Sequence, residues 1–163
     1  MTHKKPKPSF TTALAQKPLL LRIYPDTVLQ QAADKVSTFG KPLRSFAETM
    51  YSFMVEHNGI GLAAPQVGIL YRIVTIGLRD ITCCLINPEI VSASFDYDTK
   101  EEGCLSLPDQ TYTVKRNIHI EVRARNIYGG KLHFKAEHLF ARVIQHETDH
   151  LNGILICDKG KAV

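Results

Sequence analysis

Apolar residues at Leu43, Phe46, Met50, Phe53 and Met54 recur at offsets of three and four behind Pro42, which predicts an amphipathic helix opened by that proline. It is expected to stop at His57-Asn58-Gly59, with glycine taking the left-handed turn. A second such stripe, Leu139, Phe140, Val143, Ile144, Glu147, His150 and Leu151, predicts a helix from about Glu137 to Leu151 that ends at Asn152-Gly153. A shorter helical segment with Val28, Leu29 and Ala32 follows Pro25-Asp26. Between the helices the pattern changes to β-branched clusters and alternation: Ile73 to Ile76, Leu85-Ile86, Val91 to Tyr97, and Val114 to Arg125 with Ile118, Ile120 and Val122 facing one way. Asn126 to Gly130 turns the chain, and Leu132 and Phe134 carry a returning strand. Gly59 to Gly68 fits neither period and is expected to be a shaped loop. Without repeats or βαβ alternation, the fold class is α+β with mostly antiparallel strands.

At 163 residues, 44% of them hydrophobic, the chain suits one compact domain. Its net charge of +4 looks like a phosphate footprint until it is located. Lys4, Lys5, Lys7, Lys17 and Arg22 lie in the first 25 residues with no acid among them, leaving 15 basic against 16 acidic residues in the body. No basic run is interleaved with aromatics, so no specific nucleic acid is expected. Residues 1–17 are expected to form a flexible basic tail, and 18–163 the single domain; a transit peptide for organellar import is the competing reading of the tail. No apolar stretch approaches bilayer length, so no membrane association is expected. Four cysteines without secreted-domain spacing favour a reducing, cytoplasmic setting.

The second helix carries His146-Glu147-Thr148-Asp149-His150. Residues four apart lie one above the other on a helix, so both imidazoles can face one ion, and Glu147 can reach a water on that ion without being a ligand. HExxH fixes only three residues and arises by chance. Its position in an apolar stripe changes the weighting, because buried ionisable groups need a partner or a metal. Two familiar completions fail: Ile156 stands where a metzincin has its third histidine, and no glutamate follows His150 to serve as in thermolysin-like enzymes. The third ligand therefore lies upstream, among Cys104, several histidines and many carboxylates.

Cys104 stands out in Glu101-Glu102-Gly103-Cys104-Leu105-Ser106-Leu107-Pro108, since a thiolate is a strong ligand for a borderline-soft ion. Cys83, Cys84 and Cys157 have apolar neighbours and are expected to be packing residues. His119 and His133 alternate with apolar positions and are expected on solvated strand faces. His138 precedes His146 by two helical turns, about 12 Å of axial rise, and cannot share its ion.

Three segments in order, GIGLAAPQVG at 59–68, EGCLSLP at 102–108 and QHETDHLNG at 145–153, resemble the signature motifs of the bacterial peptide deformylases. The resemblance runs from about Arg22 to Ile156. It implies an α+β domain whose antiparallel strands wrap a central metal-bearing HExxH helix, and a hydrolase that removes the formyl group from the N-terminal formyl-methionine of nascent chains. By the same resemblance Cys104, His146 and His150 are the ligands of one divalent metal, with water in the open fourth position, and Glu147 is the proton shuttle. The oxyanion is met by the Leu105 backbone N–H and the Gln66 side chain. Main-chain groups of Ile60, Gly61 and Gly103 bind the peptide. Val143, one turn before Glu147, is a candidate wall of the methionine pocket, with a core role equally consistent. Glu102 and Arg116 occupy positions that pair in the family and brace the cysteine loop. Asp149 points away from both histidines and is read as structural.

The donor set suits Zn²⁺ by affinity, whereas the family commonly works with Fe²⁺ and tolerates Ni²⁺ or Co²⁺. Formyl-methionyl nascent peptides are the implied partners. Many bacterial members carry a basic helix after the third motif that docks on the ribosome; none is visible here, so a transient ribosome contact would need another route. Two rival functions are a general metallopeptidase acting on unformylated peptides and an inactive zinc-binding protein. Gln66 and the cysteine loop argue against the first, and Glu147 beside both histidines against the second.

Overall fold

The computed structural model describes residues 9–163. Its first element, α1 (Phe10–Leu14), is capped by Ser9, whose side chain accepts from the Thr12 N–H. Leu14 is buried, and the Phe10 ring meets Tyr71 edge-on with centroids 4.8 Å apart. The flexible tail expected over 1–17 is therefore corrected for its second half: Phe10, Ala13 and Leu14 share a helical face and pack on the core. Its first eight residues lie outside the described ones. A single 3₁₀ turn, Thr27–Gln30, stands where the helical segment after Pro25 was expected, capped by the Asp26 side chain.

Helix α2 (Lys41–Glu56) has its proline in the first turn, as the pattern requires, and buries Leu43, Phe46, Met50 and Met54. Asn58, not Gly59, takes the left-handed conformation at its end (φ 57°), and the Gly59 N–H returns to the Met54 carbonyl at 2.9 Å. Asparagine tolerates that conformation better than other side-chain-bearing residues. Gly59 is needed for close packing instead, because a Cβ there would press on Leu105 and Met54.

The expected loop at 59–68 is instead a short strand, β1 (Gly61–Ala63), followed by a 3₁₀ turn at Ala64–Val67. Next come β2 (Ile73–Leu78), β3 (Ile81–Ala93), β4 (Tyr97–Cys104), β5 (Leu107–Asn117), β6 (His119–Arg125) and β7 (Lys131–Glu137). Helix α3 (His138–Leu151), α4 (Ile156–Lys159) and β8 (Lys161–Ala162) complete the described chain. A five-stranded sheet has the order β1-β2-β3-β6-β7, and a three-stranded sheet the order β4-β5-β8; every strand pair within them is antiparallel. The run expected from Val114 to Arg125 is two strands of different sheets divided at Ile118, and the one expected from Val91 to Tyr97 is the end of β3 plus the first residue of β4.

Ile73 and Ile86 pack in the cluster that holds the apolar face of α2, while Val74, Ile76 and Leu85 pack with Ala141, Val143, Ile144 and Leu151 of α3. The large sheet is thus covered on both faces, which is why Ile73 to Ile76 is buried without alternation. Each such Ile or Leu side chain contributes roughly 1.5–3 kcal/mol of burial. On its far side α3 meets the small sheet, where Leu107, Val114, Leu155 and Ile156 form a third cluster. The HExxH helix lies between the two sheets.

Candidate active site

Helix α3 delivers His146 and His150 from successive turns, and the end of β4 delivers Cys104. The Nε2 atoms of the two histidines are 3.2 Å apart, and Cys104 Sγ is 3.3 Å from His150 Nε2. Three donors around a tetrahedral ion with ordinary zinc bond lengths sit about 3.3–3.6 Å from one another. Both distances to His150 thus match a metal site, all three donors lie within 4.8 Å of one another, and the thiolate-imidazole chemistry suits borderline-soft ions. Electrostatics favour a cation at the same point. The His146 imidazole is pushed up to about 10: burial opposes its charge, but the Cys104 and Glu102 side chains outweigh it. His150 moves the other way, well below its usual range, because burial and the neighbouring His146 disfavour a second charge.

Glu102 fixes the orientation of His146. Its Oε2 accepts from His146 Nδ1 at 2.9 Å, so Nε2 is the nitrogen left for an ion. Arg116 clamps both carboxylate oxygens, Nε to Oε1 and Nη2 to Oε2, each at 2.9 Å, and also bonds Asp149. The expected pairing of Glu102 with Arg116 and the structural role of Asp149 are both present. Sequence reading missed Arg142, which adds a third guanidinium bond to Glu102 Oε1 at 2.6 Å and reaches the Val114 carbonyl and Asp98. Its signal was an arginine one turn before His146 on a buried helix face. Ser106, fully buried, was also missed.

Gln66 is 2% exposed and held at both ends of its amide. Its Oε1 accepts from the Ala63 N–H at 2.9 Å, while Nε2 points at Ser106 Oγ (3.2 Å) and Cys104 Sγ (3.6 Å). The 3₁₀ turn after β1 thus aims a donor at the ligand cluster. Glu147 is buried, and its Oε2 has no hydrogen-bond partner among the described residues. Burial pushes its carboxyl up to about 7, against the pull of His146 and Arg116.

These groups open into a cleft of about 800 Å³, whose walls include Ile60, Gly61, Gly103, Leu105 and Val143. Val143 does double duty, lining the cleft while its other neighbours belong to the core. Gly61 has a reason of its own to be glycine: a Cβ there would overlap Glu147 Oε1 and come within 2.9 Å of Val143 Cγ1. Gly61→Ala is expected to displace the Glu147 carboxylate, lowering kcat about tenfold or more while leaving metal content unchanged; steady-state kinetics beside elemental analysis check this.

Compared with known proteins, residues 18–163 match the family model described as polypeptide deformylase. Peptide deformylase 1 of Clostridium acetobutylicum is 43% identical over 139 residues, covering 85% of this chain and 92% of that one. The crystal structure of peptide deformylase from Thermotoga maritima superposes with a TM-score of 0.85 at 38% identity, covering 86% of this chain and 96% of that one. A peptide deformylase from Synechococcus elongatus in complex with actinonin does so with a TM-score of 0.86 at 41% identity, over 90% of this chain and 81% of that one. Fold, cleft and comparisons agree that the chain belongs to the polypeptide deformylase family.

Proposed function

We propose that Cys104, His146 and His150 hold one divalent metal, and that Glu147, Gln66 and the Leu105 backbone N–H carry out removal of the N-formyl group from formyl-methionyl peptides around it. The observation that carries this reading is the approach of His150 Nε2 to His146 Nε2 at 3.2 Å and to Cys104 Sγ at 3.3 Å. The metal when bound supplies Lewis acidity to the formyl oxygen and to the attacking water. Glu147, whose carboxyl sits near 7, accepts the water proton and returns it to the departing amine. Gln66 Nε2 and the Leu105 N–H face the developing oxyanion. Gly61, Ile60 and Gly103 offer main-chain groups to an extended peptide, and Val143 an apolar wall to the methionine side chain.

The domain that does this spans 18–163 in our reading, which the extent of the family match supports. Fe²⁺ is the proposed ion in the cell, with Zn²⁺, Ni²⁺ or Co²⁺ replacing it in purified protein. The substrates are nascent chains, met in the cytoplasm. Four free cysteines suit a reducing compartment, and among the described residues no helix is long and apolar enough to cross a membrane.

Formate release from a formyl-Met peptide, compared with acetyl-Met and free Met peptides, tests the reaction on anaerobically purified protein with elemental analysis. Only the formylated peptide is expected to turn over; cleavage of the others would make the chain a general amidase. Cys104→Ala is expected to lose both metal and turnover, and full activity in that variant would remove the cysteine from the ligand set.

A further inference from the structure

We propose that His119, Glu137 and His138 form a second divalent-metal site, on the solvent face of the β6–β7 hairpin and apart from the catalytic cleft. Strand β6 begins at His119 and β7 ends at Glu137, and the two residues are directly paired across the ladder. Such cross-strand partners bring their side chains side by side. The chain then passes straight into α3 at His138, whose backbone N–H bonds the Ile118 carbonyl at 2.9 Å and holds it against the start of β6. All three donor atoms lie within 4.8 Å of one another, and His119 Nε2 is 3.7 Å from Glu137 Oε2. The imidazole rings are tilted at 58° with centroids 5.8 Å apart, so they are not stacked and their nitrogens are free to converge. Small rotamer changes of these exposed side chains close the gap to the roughly 3.3 Å that ligands of one ion require.

Two imidazoles and a carboxylate select the borderline divalent ions, Zn²⁺ foremost, and leave further coordination positions open to water. The Glu137 charge also offsets the positive end of α3, which by itself would repel a cation. The same face carries a contrasting pair: His133 Nε2 lies 2.6 Å from Glu121 Oε1, but Glu121 also accepts from Ser92 Oγ, and among the described residues no third donor joins them. An ion at His119, Glu137 and His138 would fasten the first residue of the catalytic helix to the edge of the large sheet.

Zn²⁺ alone, added to the purified full chain in equilibrium dialysis with elemental analysis, tests the proposal. The wild type is expected to hold about one equivalent more than His119→Ala or His138→Asn, and to gain a zinc-dependent rise in Tm that these variants lack. Asparagine is chosen at 138 because the backbone there is left-handed (φ 52°). His133→Ala is expected to keep the extra equivalent, and all three variants the formate-releasing activity. Because the comparison is between proteins, it does not depend on what the Cys104 cluster holds. Equal zinc content in the wild type and His119→Ala overturns the proposal, as does loss of the extra equivalent in His133→Ala.

Discussion

Glu147→Ala is expected to keep its metal and lose its turnover, with kcat down by about 10²- to 10⁴-fold, equivalent to about 3–5 kcal/mol of transition-state stabilisation. The carboxylate lies beside the ligand cluster without belonging to it, so its removal takes away the proton acceptor and spares the donors. Its pH behaviour follows from burial. A carboxyl raised to about 7 gives kcat/KM an acid limb at or below that pH, since a cation beside it can only lower the value. That limb should vanish from the residual rate of the variant. In metal-free protein the isosteric Glu147→Gln isolates the burial cost. A raised folded pKa contributes stability that is present below the unfolded value of about 4.5 and is lost as pH rises through about 7. The variant's Tm should therefore gain on the wild type as pH is raised across that interval. Full activity in Glu147→Ala would leave the mechanism without a base.

Both long helices were legible because each lays one apolar stripe against one sheet, and the cleft residues were legible through the family resemblance that the three motifs carry. What the pattern missed has physical reasons. Strand β4, Tyr97–Cys104, contains Asp98, Lys100, Glu101 and Glu102, residues poor in intrinsic strand preference. It is a strand because it forms a hairpin ladder with β5 and because Arg142, brought in from α3, holds Asp98 and Glu102. The break at Ile118 was invisible for the opposite reason. Alternation continues smoothly across it, while the chain crosses from the small sheet to the large one. Arg142 was hidden by its own stripe: a cation among apolar helix positions resembles a solvated residue until Glu102 and Asp98 are seen to meet it. Hydrophobic periodicity records which face is buried. It cannot record which buried charges find each other.

The same buried charges make Glu102→Ala the most destabilising substitution we expect. Glu102 is 7% exposed and accepts from Arg116 twice, from Arg142 and from His146. Removing it leaves two interior guanidinium groups short of a counter-charge, and breaking a buried pair in this way costs about 3–5 kcal/mol. For a domain of this size the loss corresponds to a fall in Tm of roughly 6–20 °C. Metal affinity should fall about 10- to 100-fold as well, because His146 Nδ1 loses the acceptor that aims Nε2. Although burial opposes its ionisation, Arg116 and His146 hold the Glu102 carboxyl well below the usual carboxylate range. A depressed folded pKa contributes stability that is complete above the unfolded value and fades as pH falls through the folded one. The Tm gap between wild type and variant should accordingly be widest at neutral pH and narrow below about pH 4.5. Glu102→Gln, which keeps the shape and loses the charge, should fall between the two. A variant that melts with the wild type at neutral pH would mean that Asp98 and Asp149 alone neutralise both arginines, and that the clamp on His146 is redundant.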